Sequence, residues 1–390
     1  MSTSTRIWSP RVALVFASCA GMLLMATGGS ALARNVERAV PVQGAAPIRP
    51  ALKYVDEWGW VTERDKTASS ALAANDQGNW FGGNDTVSRS ATGAYLVTLG
   101  GMGVLGGVPH VTALGKSGKY CDVLDWYESG DEFIDVTCTT RTGAPADSPF
   151  TLTYLYSNGD PGPLAYLWAD RSGSAVDYAP DATYSFDSSG GTNTVHHPSA
   201  GDYQVTLPGL GSTRGDIQVT AYAGSGLPRD GVAPGALEAA PSCGVESWGP
   251  AGADMVAEVI CRDPSGTRAD ARFDLTFLQG IGPEGSIQTH DAYLWANRAR
   301  AASYLPSQHY RYSHPGGSIN VTRQGTGRYT VTLAAMPKGG AVVVTAYGGG
   351  AVRCGAAGIR TDGTPQTVSV RCFRSNGQAV DSQFTLAYER

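Results

Sequence analysis

Six of the seven cysteines fall into pairs at a nearly fixed interval, and paired cysteines can make a disulfide or hold a metal. Cys121 precedes Cys138 by 17 residues, Cys243 precedes Cys261 by 18, and Cys354 precedes Cys372 by 18. Short zinc knuckles need two to four intervening residues and usually a recurring histidine, and neither is present. Disulfides are therefore expected, and no metal. Six cysteines could pair in many ways, but repetition selects closure inside each copy, because every copy must be able to close itself. Each such loop contributes about 3 kcal/mol in the chain-entropy view. An even cysteine count suits an oxidising compartment.

Titratable side chains offer less. Asp147, Asp270 and Asp381 recur, each three residues before an aromatic strand start (Phe150, Phe273, Phe384). General acid–base chemistry needs a second acid or base held beside the first, and none repeats with them. A short carboxylate just past a turn glycine more simply accepts backbone N–H bonds. The six histidines, His110, His196, His197, His290, His309 and His314, share no common position in the copies and read as surface residues. His196 and His197 are adjacent in an extended segment, so their side chains point to opposite faces and cannot easily chelate one ion. No nucleophile elbow, zinc-protease helix or phosphate-cradling loop appears. No cofactor is expected. The one aromatic pair that does not repeat, Trp80-Phe81 beside a double glycine, is the candidate contact surface for a sugar or a protein.

The elements that would position these residues repeat three times. Trp60, Trp168 and Trp295 open the copies, and a Gly-x-Tyr-x-Val-Thr-Leu pattern follows at Tyr95, Tyr203 and Tyr329. Val-Thr-Ala ends at Ala113, Ala221 and Ala346, then comes the cysteine pair, then Phe150, Phe273 or Phe384, each 12 residues past the second cysteine. Spacing kept this closely means one fold used three times. Inside each copy the period is two. Tyr203, Val205 and Leu207 share one face, Gln204 and Thr206 the other, which is a strand signature. Trp126 and Trp248, matched by Ile359, read as core filler against the disulfide. Glycines that recur in threes, such as Gly82-Gly83, Gly190-Gly191 and Gly316-Gly317, read as turns needing positive φ, as do Gly107, Gly215, Gly340, Gly143, Gly266 and Gly377.

The expected fold is all-β: three tandem disulfide-containing β-sandwich (jelly-roll-like) modules at 53–156, 164–278 and 292–390. Residues 1–33 read as a signal peptide, with Arg6 and Arg11 ahead of an apolar run and Ala31-Leu32-Ala33 before the cleavage point. Cys19 leaves open a lipoprotein. Residues 34–52 read as a flexible leader, and Ser225–Ser242 as an insertion peculiar to copy two. Net charge is −5 with both signs interspersed, which argues against nucleic acid and against a polybasic membrane contact. No stretch of the mature chain is long and apolar enough for a transmembrane anchor.

The runs Ala292-Tyr293-Leu294-Trp295-Ala296-Asn297, Gly327 to Leu333, Val344-Thr345-Ala346-Tyr347-Gly348 and Val370-Arg371-Cys372-Phe373 resemble tandem β-repeats in uncharacterised exported bacterial proteins. A vaguer similarity is to C1q-like or phage-fibre jelly rolls. The resemblance implies no catalytic residue. The expected signal peptide and a series of disulfide-pinned sandwiches without a repeated polar constellation lead to the expectation of a secreted, non-enzymatic protein that binds or displays at or beyond the cell surface, its partner an unidentified glycan or protein. A structural spacer or coat component is the alternative, and a hydrolase with a site in one copy a further one.

Overall fold

A computed structural model describes residues 56–65, 70–159, 162–224, 241–282 and 290–390. The expected signal peptide, leader and nearly all of the insertion lie outside these residues. The regular structure of the described residues is strand apart from two single-turn 3₁₀ segments at Ala182–Tyr184 and Gln308–Tyr310, and among the described residues no helix is long and apolar enough to cross a membrane.

Each copy is a two-sheet sandwich. In copy one the first sheet runs, in order, Gln77–Asn79, Asp56–Glu63, Phe150–Ser157 and Val108–Ala113. The second runs Tyr120–Glu128, Glu132–Thr139, Ala94–Leu99 and Thr86–Ala91. The period-two pattern sets which face goes inward: Tyr95, Val97 and Leu99 alternate with half-buried residues along their strand. They meet Val61, Val111, Phe150 and Leu152 from the opposite sheet in one apolar cluster. Copies two and three repeat this core with Tyr203, Val205, Leu207 and Phe273, and with Tyr329, Val331, Leu333 and Phe384. The marker Tyr packs edge-on or tilted against the recurring Phe at 5.2, 5.1 and 5.3 Å between ring centres.

All three disulfides close within their copies. Cys121 bonds to Cys138, Cys243 to Cys261 and Cys354 to Cys372, each bridge joining residues directly opposite on neighbouring strands. The repeated aspartates are structural pins. Asp147 accepts the Gly93 N–H at 2.8 Å and pairs with Arg89, and Asp381 does the same with Gly327 and Arg323. In copy two His197 stands where the others have Arg, 2.9 Å from Asp270. The Tyr hydroxyl accepts the next backbone N–H along, that of Ser148, Ala271 or Ser382, at 3.0 Å in every copy. Why Gly-x-Tyr must begin with Gly is equally concrete. Gly93, Gly201 and Gly327 have φ of +72°, +71° and +63°, and a Cβ there would stand 2.3–2.6 Å from the carbonyl of the second cysteine. Of the double glycines, Gly83 and Gly191 do not take positive φ; they are required by crowding against Gly100 and Pro208.

The copies are not beads on a string. Copy one's second sheet continues into copy two's first sheet, and copy two's second into copy three's first. Each continuation is a single parallel pairing, Val123 with Tyr222 and Val245 with Tyr347. The matching pair between the last copy and the first is Ala356 with Leu114. All six residues are equivalent: two after the first cysteine, or one after Val-Thr-Ala. The same backbone bond closes each junction, from the N–H of Ala223, Gly348 and Gly115 at 2.7, 2.8 and 2.8 Å. Three copies of one fold in one chain thus close into a ring with approximate threefold symmetry.

Candidate functional site: the ring axis

Two central strands of each copy are buried on both faces. One face supplies the sandwich core and the other turns toward the ring axis. On the axial face stand Thr151 and Thr153, Asp274 and Thr276, Thr385 and Ala387, together with His110 and Thr112, Gln218 and Thr220, Val343 and Thr345. Threonine suits this place because it is β-branched for the strand and carries a hydroxyl for the neighbouring copy. Thr151 donates to the Val342 carbonyl at 2.5 Å and Thr385 to that of Ile217 at 2.8 Å. The Val344 N–H donates to Thr112, and the Val219 N–H to Thr345, both at 3.0 Å. Asp274 fills the position of Thr151 and Thr385. It is fully buried with neither carboxyl oxygen hydrogen-bonded, and burial holds its carboxyl well above the usual range, which favours the neutral acid.

His110 corrects the expectation of surface histidines. It is buried on the axis with Nδ1 2.9 Å from the Thr220 hydroxyl and Nε2 2.8 Å from that of Thr276. Each hydroxyl can donate or accept, so both ring nitrogens are satisfied in the neutral form. Burial lowers its pKa to about 3. A cavity of about 20 Å³ lies beside it, lined by residues of all three copies, room for roughly one water.

The axis opens at the end where the cysteine strands begin. A cavity of about 90 Å³ sits there, lined by all three copies, and several waters or one small organic molecule would fit. The two halves of each disulfide take different places around it. Cys121, Cys243 and Cys354 border the cavity, whereas their partners Cys138, Cys261 and Cys372 are fully buried inside the sandwiches and do not. All six cysteines form the expected bridges, and the first of each pair in addition stands on a strand that walls the cavity.

The charged lining is asymmetric. The residues preceding the first cysteines are Tyr120, Ser242 and Arg353; those following are Asp122, Gly244 and Gly355. Lys119, Arg262 and Arg371 complete the set. The Arg353 guanidinium lies 4.1 Å from the centre of the Tyr120 ring, across the closing junction, a cation–π arrangement. Arg262 donates to the carbonyls of Gly266 and Gly349 at 3.0 and 2.7 Å, the second in copy three. Three polar atoms of this lining are buried without a hydrogen-bond partner: the Tyr120 hydroxyl, Asp122 Oδ2 and Arg262 Nε. Burial pushes the Asp122 carboxyl up to about 7, with the positive charge of Arg353 pulling weakly the other way. Desolvation lowers the pKa of both Arg353 and Arg262. Buried polar groups are normally paired; unpaired ones also occur elsewhere, at Glu132, Asp216 and Asp274 among others, but here three of them line one open cavity together with several cationic side chains.

The structure separates the aromatic pair singled out from the sequence. Trp80 packs with Trp58, Trp60 and Ala341 of copy three, whereas Phe81 is 45% exposed. Neither lines the axial cavity. Of the insertion, Pro241 and Ser242 lie within the described residues, and Ser242 does line it. Trp126 and Trp248 are filler, as expected, but the space they fill lies between copies. Trp126 meets Trp168, Tyr184 and Tyr222 of copy two at 5.6, 5.3 and 5.8 Å. Trp248 meets Trp295, Tyr310 and Tyr347 of copy three at 5.0, 5.9 and 5.2 Å.

No cluster of three or more His, Cys, Asp or Glu side chains suited to a metal occurs among the described residues. Comparison of the chain with family models, curated proteins and solved structures returns no significant match.

Proposed function

We propose that this chain is an exported, non-catalytic binding protein and that its ligand site is the open end of the ring axis. The observation that carries this reading is the convergence of Tyr120, Asp122, Arg262 and Arg353 on one cavity that no single copy could build. Unlike the turn and core markers, these side chains do not repeat. In a structure whose scaffold is written three times, unrepeated polar residues at one shared point support a role apart from folding. The closed ring also favours binding over the spacer alternative, which expects modules in extended series. Export rests on the N-terminal pattern and is supported by the three disulfides.

The test is a broad glycan and protein panel probed with the mature chain and with Arg353→Gln. A hit that is lost in the variant, at an unchanged unfolding midpoint, supports the reading. A hit indifferent to Arg353, or no hit at all, contradicts it.

A further inference from the structure

We propose that the axial cavity takes a monoanionic sugar acid, its carboxylate held by Arg353 and Arg371 and a neighbouring hydroxyl held by Asp122. This rests on the binding reading above and names the ligand class. The charge balance comes first: Lys119, Arg262, Arg353 and Arg371 line the cavity against the single acid Asp122. The Arg371 side chain makes no hydrogen bond or ion pair among the described residues. Guanidinium groups removed from water favour an anion, and their planar fork fits a carboxylate with two parallel hydrogen bonds.

Asp122 narrows the choice. It follows the cysteine in copy one where the other copies have glycine, so it is the only side chain that this position sends toward the axis. Its Oδ2 is buried and unpartnered. Beside an anion it can serve as acceptor for a hydroxyl, or as donor when protonated. A dianion such as phosphate would face Asp122 with like charge whenever the carboxyl ionises, and it ionises near neutrality. An amino acid would bring an ammonium group among four cations. A carboxylate brings one negative charge rather than two against Asp122 and no ammonium, and its neutral hydroxyls give Asp122 an uncharged partner. The Tyr120 hydroxyl and Arg262 Nε, both buried without partners, supply two further polar contacts for such a ring.

The experiment is titration calorimetry of the mature chain with glucuronate, glucose and inorganic phosphate, repeated on Arg353→Gln, Arg371→Gln and Asp122→Asn. Glucuronate is expected to bind and glucose not; either arginine variant should weaken glucuronate at least tenfold, and Asp122→Asn severalfold. Two arginine variants are used so that a folding defect in one leaves the other to decide. Glucose or phosphate binding as tightly as glucuronate, no glucuronate binding, or affinity unchanged in both arginine variants would overturn the assignment. A panel hit that needs Arg353 but is not competed by glucuronate refutes the sugar acid and leaves the binding site standing. A hit that ignores Arg353 removes both.

Discussion

Two junctions of the ring interlock aromatic rings contributed by both copies, whereas at the third the rings all come from copy one, with Trp58, Trp60 and Trp80 packing with Ala341 of copy three. Between copies one and two, Trp126, Trp168, Tyr184 and Tyr222 interlock, and Trp248, Trp295, Tyr310 and Tyr347 do so between copies two and three. At the junction of copies three and one the equivalent positions hold Ile359, Trp60, Asp76 and Leu114. Hydrogen bonds take over there: Thr62 to the Gly340 carbonyl at 2.8 Å, the Gly340 N–H to the Asn75 carbonyl at 3.1 Å, and Arg390 to the Asn75 side chain at 2.5 Å. Yet all three junctions share one backbone pairing. The difference teaches that strand geometry sets the ring and that side chains only tune how firmly each seam holds. Packed aromatic pairs add about 0.5–1.5 kcal/mol each beyond the area they bury, so the third seam is the weakest by this measure.

The comparison can be broken most forcefully at its strongest seam. Trp168 is 1% exposed and touches three rings, so Trp168→Ala should cost about 3–5 kcal/mol in urea unfolding. Trp295, less deeply buried, should cost clearly less. Equal losses would mean that the deeper burial of Trp168 does not set its contribution.

Acid should next distinguish the seams, because the first places a buried histidine side chain across the junction, whereas His309 at the second contributes its backbone carbonyl. His110 bonds across to Thr220 and Thr276 of copy two, and its counterparts in copies two and three are Gln218 and Val343. The buried ring stays neutral down to about pH 3, whereas an unfolded histidine titrates near 6.5. Its contribution is therefore complete above 6.5 and is lost as pH falls toward 3, at up to about 1.4 kcal/mol per unit. His110→Gln should flatten the stability profile over that window, and an unchanged slope would contradict the burial. Asp122 acts in the opposite sense: its raised pKa costs stability as pH climbs from about 4 to 7, so Asp122→Asn should lose less over that range.

A smaller effect is expected away from the seams. Asp147 holds the Gly93 turn inside copy one, and pairing with Arg89 keeps its carboxyl down at about 2. Asp147→Asn should cost about 1 kcal/mol near neutrality. The difference from wild type should vanish as pH falls from about 4 through 2, where the native carboxylate itself protonates. The smallest change is Asn75→Ala at the third seam, about 0.5 kcal/mol, because it removes one side-chain bond and leaves the Asn75 carbonyl in place.

What the sequence disclosed is what it repeats. Strand faces followed from alternation at Tyr203-Val205-Leu207, disulfide partners from equal spacing, and the structural role of Asp147 and Asp381 from their place beside a turn. Equal spacing could not tell the two cysteines of a pair apart: Cys138 and Cys261 are buried in the core alone, whereas Cys121 and Cys243 pack on the core and also border a cavity that exists only once the copies assemble. The ring was not legible, because each seam depends on backbone groups that any residue supplies; Leu114, Tyr222 and Tyr347 perform one task with unlike side chains. The axial site was hidden for the opposite reason. Its residues do not repeat, and a search for repeated spacing passes over them. One signal was present: laying the copies side by side puts Asp122 against Gly244 and Gly355, and His110 against Gln218 and Val343. A charged or titratable residue inside a strand that is apolar on its neighbours' evidence points to a shared interior.

Amide hydrogen exchange at the three equivalent seam positions, Ala223, Gly348 and Gly115, tests ring closure directly. All three N–H groups bond across a junction at 2.7–2.8 Å, so Gly115 should be protected alongside the other two despite bridging the first and last copies. Protection at Ala223 and Gly348 with Gly115 exchanging at the rate of a free peptide would show an open chain, and with it no axial site.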